Sequence, residues 1–248
     1  VFAHQQQDGP VWRAFTDAHD GVSDAPYTAG RDAAGGLNLG SHVGDDPTAV
    51  RSNRRRVAEA AGVAPEALVL VDQVHGAEVV QVDGPCHGSA GEADAMVTSR
   101  AGLALAVLVA DCTPVLLADP VAGVVGAAHA GRPGMLAGVV PATVAAMRDL
   151  GARTISAVVG PSVCGRCYEV PAEMQQAAAR VVPEVLARTW AGTPSIDVAT
   201  GVVTQLAGLG VAVTWVPGCT YEDARFYSYR RSGTTGRFGG VVLRREVA

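Results

Sequence analysis

LALAVLVADCTP, residues Leu103–Pro114, and AGVVGAAHAG, residues Ala122–Gly131, decide how this chain is read. Each is a run of Val, Leu, Ala and Gly of buried-strand length, and each gives way to turn residues at a side chain that ligates metals. That side chain is Cys112 in the first and His129 in the second. A third run, ALVLVDQVHG (Ala67–Gly76), ends the same way on His75. If neighbouring strands of one sheet stop together, their last side chains meet in the crevice where open α/β sheets bind ligands. Two imidazoles and a thiolate suit a borderline-soft divalent metal. Three protein ligands leave the fourth position free, as a catalytic zinc site requires.

The rest of the chain reads outward from these runs. VWRAFTDA alternates like a strand and leads into a glycine-rich segment, Gly30–Asp46, that contains GGLNLGSHVGDD. Asp46-Pro47 opens a helix that runs through RSNRRRVAEAA and stops at Gly62. Strands precede His75 and surround EVVQVD; EADAMVTS then leads to the two long runs. Gly134–Leu150 reads as one helix, in which Pro141 is a weak point. ISAVVGPSV reads as a strand, PAEMQQAAARVVPEVLAR as a helix interrupted by Pro, and VATGVVTQLAGLG as a last helix. VAVTWVPG and GGVVLRREV close the sheet. Strands mix with helices without strict βαβ alternation, so the fold class is α/β (α+β) with mixed sheets. No linker, charge block or repeat divides the chain, so residues 1–248 are expected to form a single domain.

Composition narrows the function. The chain has 248 residues, 48% hydrophobic and 17% charged, enough for a substantial core. A net charge of −5 and a pI near 5.6 supply no positive field for nucleic acid or anionic membrane. Asp111, Asp119 and Pro141 interrupt the apolar stretches before they reach membrane-spanning length. VFAHQQQDGP lacks the basic start and apolar centre of a signal peptide. Five scattered cysteines do not read as a disulfide framework, and a cytoplasmic location is expected. All 19 Lys/Arg positions are Arg. Lysine Schiff bases, a P-loop lysine and a lysine general base are thereby excluded, and bound anions fall to Arg, backbone N–H groups or metal.

Several side chains are candidates around the triad. Asp72 and Asp111 neighbour two of its members; one of them could orient an imidazole, although Asp111, pointing to the other strand face, is expected to cap backbone instead. Gln73 shares a face with His75 if the strand continues that far, and is a candidate substrate contact. Asn38, in the glycine-rich loop, and Arg54, in the run Asn53–Arg56, are two more. Helical spacing lets only one or two of those arginines point the same way, and the others are expected on a solvated face. CTYEDARFYSYRRSGTTGRFGG gathers Phe226, Tyr227, Tyr229 and Arg230; rings and arginine there suit a planar base and an anion, or else a packed turn. Cys164 and Cys167 have the C-x-x-C spacing of a redox or zinc site. An all-cysteine zinc site needs Cys86 and Cys219 to converge on the pair, and two ordinary cysteines are the expectation.

Taken together, NLGSHVGDD, QVHG, ADAMVTS, ADCTPV, HAG, GPSVCGRCYEV and SYRRSGTTGR resemble the YfiH-like family, in order from Trp12 to Arg237. This family is also called laccase-domain or polyphenol-oxidase-like, and is related to the human immunity protein FAMIN. The resemblance implies a layered α/β/β/α domain related to a deamidating toxin, and a Zn2+ site of His75, Cys112 and His129. It implies phosphorolysis of adenosine, inosine, guanosine and methylthioadenosine with inorganic phosphate as co-substrate, and hydrolytic deamination of adenosine. Arg54 and Arg230 are then the candidate phosphate ligands. The expected partners are small molecules, for a monomer or small homo-oligomer. Two departures stand out: relatives often read HAGWRG where this chain has HAG followed by Arg132-Pro133, and GPCCYEV where it has CGRCYEV.

Two other chemistries compete. One is a copper-dependent polyphenol oxidase, but the six His include no His-x-His pair of the kind multicopper sites use, although Cys112 with two imidazoles could still capture Cu2+ in vitro. A metal-free amidohydrolase would use Cys112 as nucleophile and His129 as base.

Overall fold

The strand Ala104–Val109 shows why this chain folds into layers: its alternate side chains leave for two different cores. The computed structural model describes residues 1–28 and 35–246. The first part of the glycine-rich segment, residues 30–34, lies outside the described residues. In chain order the elements are β1 (Phe2–Asp8), β2 (Val11–Thr16), α1 (Pro47–Ala61), β3 (Leu68–Val69), β4 (Val79–Gln81), β5 (Ala95–Thr98), β6 (Ala104–Val109), β7 (Thr113–Asp119) and β8 (Val124–Ala130). There follow α2 (Arg132–Ala137), α3 (Val139–Asp149), β9 (Ser156–Val159), α4 (Ala172–Ala179), β10 (Leu186–Arg188), β11 (Pro194–Ile196), α5 (Val198–Gly208), β12 (Ala212–Trp215), α6 (Tyr229–Ser232) and β13 (Phe238–Arg244).

One mixed sheet has the order β1-β2-β13-β6-β3 and the other β12-β9-β7-β8-β5-β4; β10 and β11 form a separate hairpin. Leu105 and Val107 of β6 meet Leu116 and Ala118 of β7 and Val125 and Ala127 of β8 between the sheets. Ala104, Ala106 and Leu108 turn the other way, under Val57, Ala58 and Ala61 of α1. Val115 and Leu117 pack under α3 and α5, against Val140, Val144, Val202 and Leu206. Period-two alternation on strands buried on both faces thus gives four layers, α/β/β/α, the arrangement that the family resemblance implies. No helix among the described residues is long and apolar enough to cross a membrane.

α1 starts and stops where the sequence placed it. Asp46 accepts the Thr48 N–H at 2.8 Å, Pro47 occupies the first turn, and Gly62 ends the helix at φ 77°. Arg55 and Arg56 are exposed, as expected of a solvated face. Four expectations need correction. β7 was not anticipated, because TPVLLAD follows Cys112 directly and reads as the tail of a turn. β1 was not anticipated either. The helix expected over Gly134–Leu150 is two helices, broken at Gly138 (φ 93°), and Pro141 sits in the first turn of α3, where its missing N–H costs nothing. The interrupted helix expected from Pro171 ends at Ala179, and Leu186–Arg188 is a strand.

Asp119, buried at the end of β7, ties two connections together. It accepts N–H bonds from Val121 and Ala122 at 3.0 Å, Arg153 at 2.6 Å and Thr154 at 2.7 Å. Burial disfavours its charge, but the four donors outweigh burial and hold its pKa below the usual carboxylate range. A depressed folded pKa contributes stability above the unfolded value of about 3.9 and loses it as pH falls through the folded value. Asp119→Ala is therefore expected to destabilise the protein by about 3 kcal/mol at pH 7, and by less in acid. Denaturant midpoints of both proteins from pH 7 to pH 3 measure this; a pH-independent difference would refute the assignment.

Candidate metal centre

His75, Cys112 and His129 converge, with their donor atoms all within 4.8 Å of one another. Cys112 Sγ lies 3.9 Å from His75 Nε2, and the two imidazoles meet edge-on, centroids 4.8 Å apart and planes at 81°. A tetrahedral zinc ion, with bonds of about 2.3 Å to sulfur and about 2.0 Å to nitrogen, wants such donors about 3.5 Å apart. Small side-chain rotations close that difference, so the residues fit the ion.

The crevice is not the one expected. β3 and β6 belong to one sheet and β8 to the other, so these strands do not end together in a single sheet. His75 lies in the connection from β3 to β4 and Cys112 in the connection from β6 to β7, and at both the chain changes sheets. Each crossing needs a sharp turn: His75 (φ 62°) and Asp111 (φ 95°) are both left-handed, a region that non-glycine residues enter only when surrounding bonds enforce it. Only His129, the penultimate residue of β8, stands on a strand.

Asp94 enforces the first turn. Its carboxylate accepts the N–H groups of Val74 (3.2 Å), His75 (3.0 Å) and Gly76 (2.5 Å) and bonds His129 Nδ1 at 2.7 Å. That last bond fixes the imidazole and leaves Nε2 for a metal, the carboxylate–histidine–metal arrangement that raises ligand basicity. Asp72, the nearer candidate in sequence, lines a small neighbouring cavity beside Arg54 instead. Asp111 does cap backbone: Oδ2 accepts the Arg230 N–H and Oδ1 the Thr220 hydroxyl, both at 2.7 Å. Gly131 keeps the ligand space clear, since a Cβ there would stand 2.8 Å from the His75 ring and 3.0 Å from Cys112 Sγ.

Electrostatics favour an ionised thiol. Burial opposes the charge of Cys112, but His129 above all, and then His75, outweigh burial and bring its pKa to about 6. Burial likewise opposes a charged His129, yet the Cys112 thiolate and Asp94 push its pKa up to about 9. A bound divalent cation displaces that imidazole proton.

The triad forms one wall of a cavity of about 640 Å3. Leu108, Val109, Val163 and Val198 give it apolar lining, and Arg132, Arg230 and Arg237 line it as well. The Arg132 Nε is buried without a hydrogen-bond partner. Arg230 lies over the Tyr168 ring, 4.7 Å from its centroid, and Tyr229, also lining the cavity, is 61% exposed. Burial, then Arg237 and Arg54, lower the pKa of His42, which faces the same space.

Of the predicted contacts, Gln73 and Arg230 reach this cavity. Gln73 also exchanges two 2.8 Å bonds with the Leu108 backbone, its amide standing in for a strand partner of β6. Asn38 and Arg54 are corrections. Asn38 is fully buried, its amide spent on Gly40, Asp45 and the Arg237 N–H. Arg54 donates to Leu39 O and Ser41 Oγ and lines the small cavity on the far side of His42 and Gln73. Phe226 and Tyr227 are likewise buried packing residues. The reading missed His42, Asp94, Arg132, Tyr168 and Arg237, although each lies in or beside a quoted motif. At the C-x-x-C pair, Cys219 does converge on Cys164 and Cys167, but Glu222 completes that group and Cys86 does not join it.

The family model described as multi-copper polyphenol oxidoreductase laccase matches residues 13–245. The chain is 57% identical over 239 residues to a purine nucleoside phosphorylase of Streptomyces griseus, covering 94% of each. It is 54% identical to one of Streptomyces coelicolor, covering 92% of this chain and 93% of that protein. Among solved structures, a Neisseria meningitidis protein matches at TM-score 0.84 with 31% identity, covering 99% of each chain. The Bacillus licheniformis hypothetical protein YfiH matches at TM-score 0.86 with 27% identity, covering 98% of this chain and 99% of that one.

Proposed function

Because the chain belongs to the laccase-like family of multi-copper polyphenol oxidoreductases, and relatives 57% and 54% identical to it are named purine nucleoside phosphorylases, we propose that it is a zinc-dependent purine nucleoside phosphorylase. One observation carries the reading: a catalytic-type metal triad, three arginines and several apolar side chains line the same cavity. Apolar walls take a purine and a ribose face; arginine forks take a phosphate. The chain has no lysine to do so.

His75, Cys112 and His129 hold the ion, which when bound supplies a fixed positive centre that stabilises developing negative charge. Arg132, Arg230 and Arg237 orient inorganic phosphate. A phosphate oxygen forms a bond to C1′ of the ribose as the C1′–N9 bond breaks, the electron pair leaves with the purine, and the purine takes up a proton. His42, kept neutral near pH 7, offers a hydrogen bond to a ribose hydroxyl. Tyr229 at the rim supplies a ring face for the base. Adenosine, inosine, guanosine and methylthioadenosine are the proposed substrates, with hydrolytic deamination of adenosine as a second activity.

Incubation with adenosine, with and without phosphate, tests this when adenine, ribose 1-phosphate, inosine and hypoxanthine are quantified. Ribose 1-phosphate equal to the sum of adenine and hypoxanthine, formed only with phosphate, is expected; its absence refutes the proposal. In the same assay Arg132→Ala is expected to raise the phosphate KM roughly 10- to 100-fold, from loss of one charge-assisted contact of about 1.5–3 kcal/mol. The ionised Cys112 beside a protonated His129 favours one other reading, a metal-free cysteine hydrolase. A chelator would leave such an enzyme active while a thiol alkylator abolished its activity. Full copper occupancy with rapid phenol oxidation would instead mark a polyphenol oxidase.

A further inference from the structure

We propose that Cys164, Cys167, Cys219 and Glu222 form a second metal site, which takes a structural Zn2+. Their donor atoms all lie within 4.8 Å of one another, in two segments that are far apart in sequence. The segments mirror each other. In the first, Cys164 O accepts the N–H groups of Cys167 (2.9 Å) and Tyr168 (3.1 Å); in the second, Cys219 O accepts those of Glu222 (3.1 Å) and Asp223 (2.8 Å). Each is a tight turn that presents donors i and i+3 on one side, the C-x-x-C geometry of zinc knuckles, with the last thiol replaced by a carboxylate in the second turn.

The turns are held face to face by backbone. Ser162 and Cys219 form a parallel bridge, with Ser162 N–H donating to Gly218 O (3.3 Å) and Thr220 N–H to Ser162 O (3.1 Å). The Cys164 N–H points at Cys219 Sγ at 3.4 Å, the kind of amide bond that supports a metal-bound thiolate. Cys167 Sγ and Glu222 Oε1 are also 3.4 Å apart, and Trp190 Nε1–H steadies that same oxygen at 3.4 Å. Around tetrahedral zinc, neighbouring sulfur and oxygen donors stand about 3.5 Å apart. Three thiolates exclude hard cations such as Mg2+ and Ca2+, and tetrahedral S3O coordination suits Zn2+.

The position gives the ion a purpose. Tyr168, next to Cys167, carries Arg230 on its ring, and Thr220, next to Cys219, bonds Asp111, the neighbour of Cys112. A cation at this point fastens two turns, one carrying Tyr168 to the large cavity and the other holding Asp111 beside it.

The test needs no nucleoside chemistry. Reduced, metal-free protein is titrated with Zn2+, then compared with Cys112→Ala and with the double variant Cys164→Ser/Cys219→Ser. Two equivalents are expected to bind the original protein and one each variant. A single equivalent, absent from Cys112→Ala, would overturn the proposal. The wild-type chain offers a second readout that does not depend on the variants folding: alkylation of Cys164, Cys167 and Cys219, followed by peptide mass spectrometry. Zn2+ is expected to slow labelling of all three by at least about tenfold, because a metal-bound thiolate is a poor free nucleophile. Equal rates with and without Zn2+, or a disulfide among the three in the protein as isolated, would refute the site.

Discussion

Cys112→Ala is expected to remove the catalytic ion and nucleoside turnover in a single step, while the fold stays intact. Cys112 is the only anionic ligand of the triad, and its thiolate balances charge that two neutral imidazoles cannot. Its side chain lies at the margin of a small apolar cluster around Phe226 and Phe238, so an alanine there leaves little space unfilled. Losing a fixed cation costs several kcal/mol of transition-state stabilisation; at about 4 kcal/mol, phosphorolysis falls roughly a thousandfold. Zinc content, circular dichroism and ribose 1-phosphate formation measured on one preparation check all three statements. Turnover that survives without metal would show that the ion takes no part in the reaction.

Asp94→Asn is expected to be nearly as damaging, by a different route. An amide presents two donors of its own to a site that supplies four N–H groups, so at least one of those bonds becomes a repulsion. His129 then loses the acceptor that fixes its ring and tautomer. Removing such a partner typically costs 10- to 100-fold in metal affinity. The turn at Val74–Gly76, left-handed at His75, loses its charged acceptor as well, and a stability loss of about 2–3 kcal/mol is expected. Zinc competition titration and thermal unfolding of the metal-free protein separate the two effects. If affinity is unchanged while stability falls, Asp94 supports only the turn.

That His75, Cys112 and His129 come together was legible because each closes a long apolar run, and the ordered motifs around them pointed to the same three residues. Their setting was less so. Sequence neighbours suggested Asp72 as the carboxylate behind the site, but extended chain turns adjacent side chains to opposite faces. Asp94 arrives instead through strand pairing: Ala95 of β5 lies opposite Ala128 of β8, and the His129 N–H donates to Asp94 O at 2.7 Å. No local pattern encodes that register. The sheet change at Asp111 was hidden for a similar reason, since β6 and β7 are both apolar and differ only in which layer they join. Arg132 and Arg237 looked interchangeable with other arginines until tertiary packing brought them to one cavity. Helix α1, by contrast, was readable to the residue, because Asp46, Pro47 and Gly62 are local signals that packing did not override.

The placement of β13 sets the order in which the molecule can be completed. This last strand is inserted between β2 and β6, opposite Phe15 on one side and Val107 on the other. During synthesis both of those earlier strands are therefore left with an unsatisfied hydrogen-bonding edge until β13 leaves the ribosome. Contacts of that sequence separation form slowly, and exposed edges invite pairing with other chains. Arg230 and Arg237 travel on the segment just ahead of β13, so a nascent chain brings these two cavity-lining arginines into place only when the aggregation-prone interval ends.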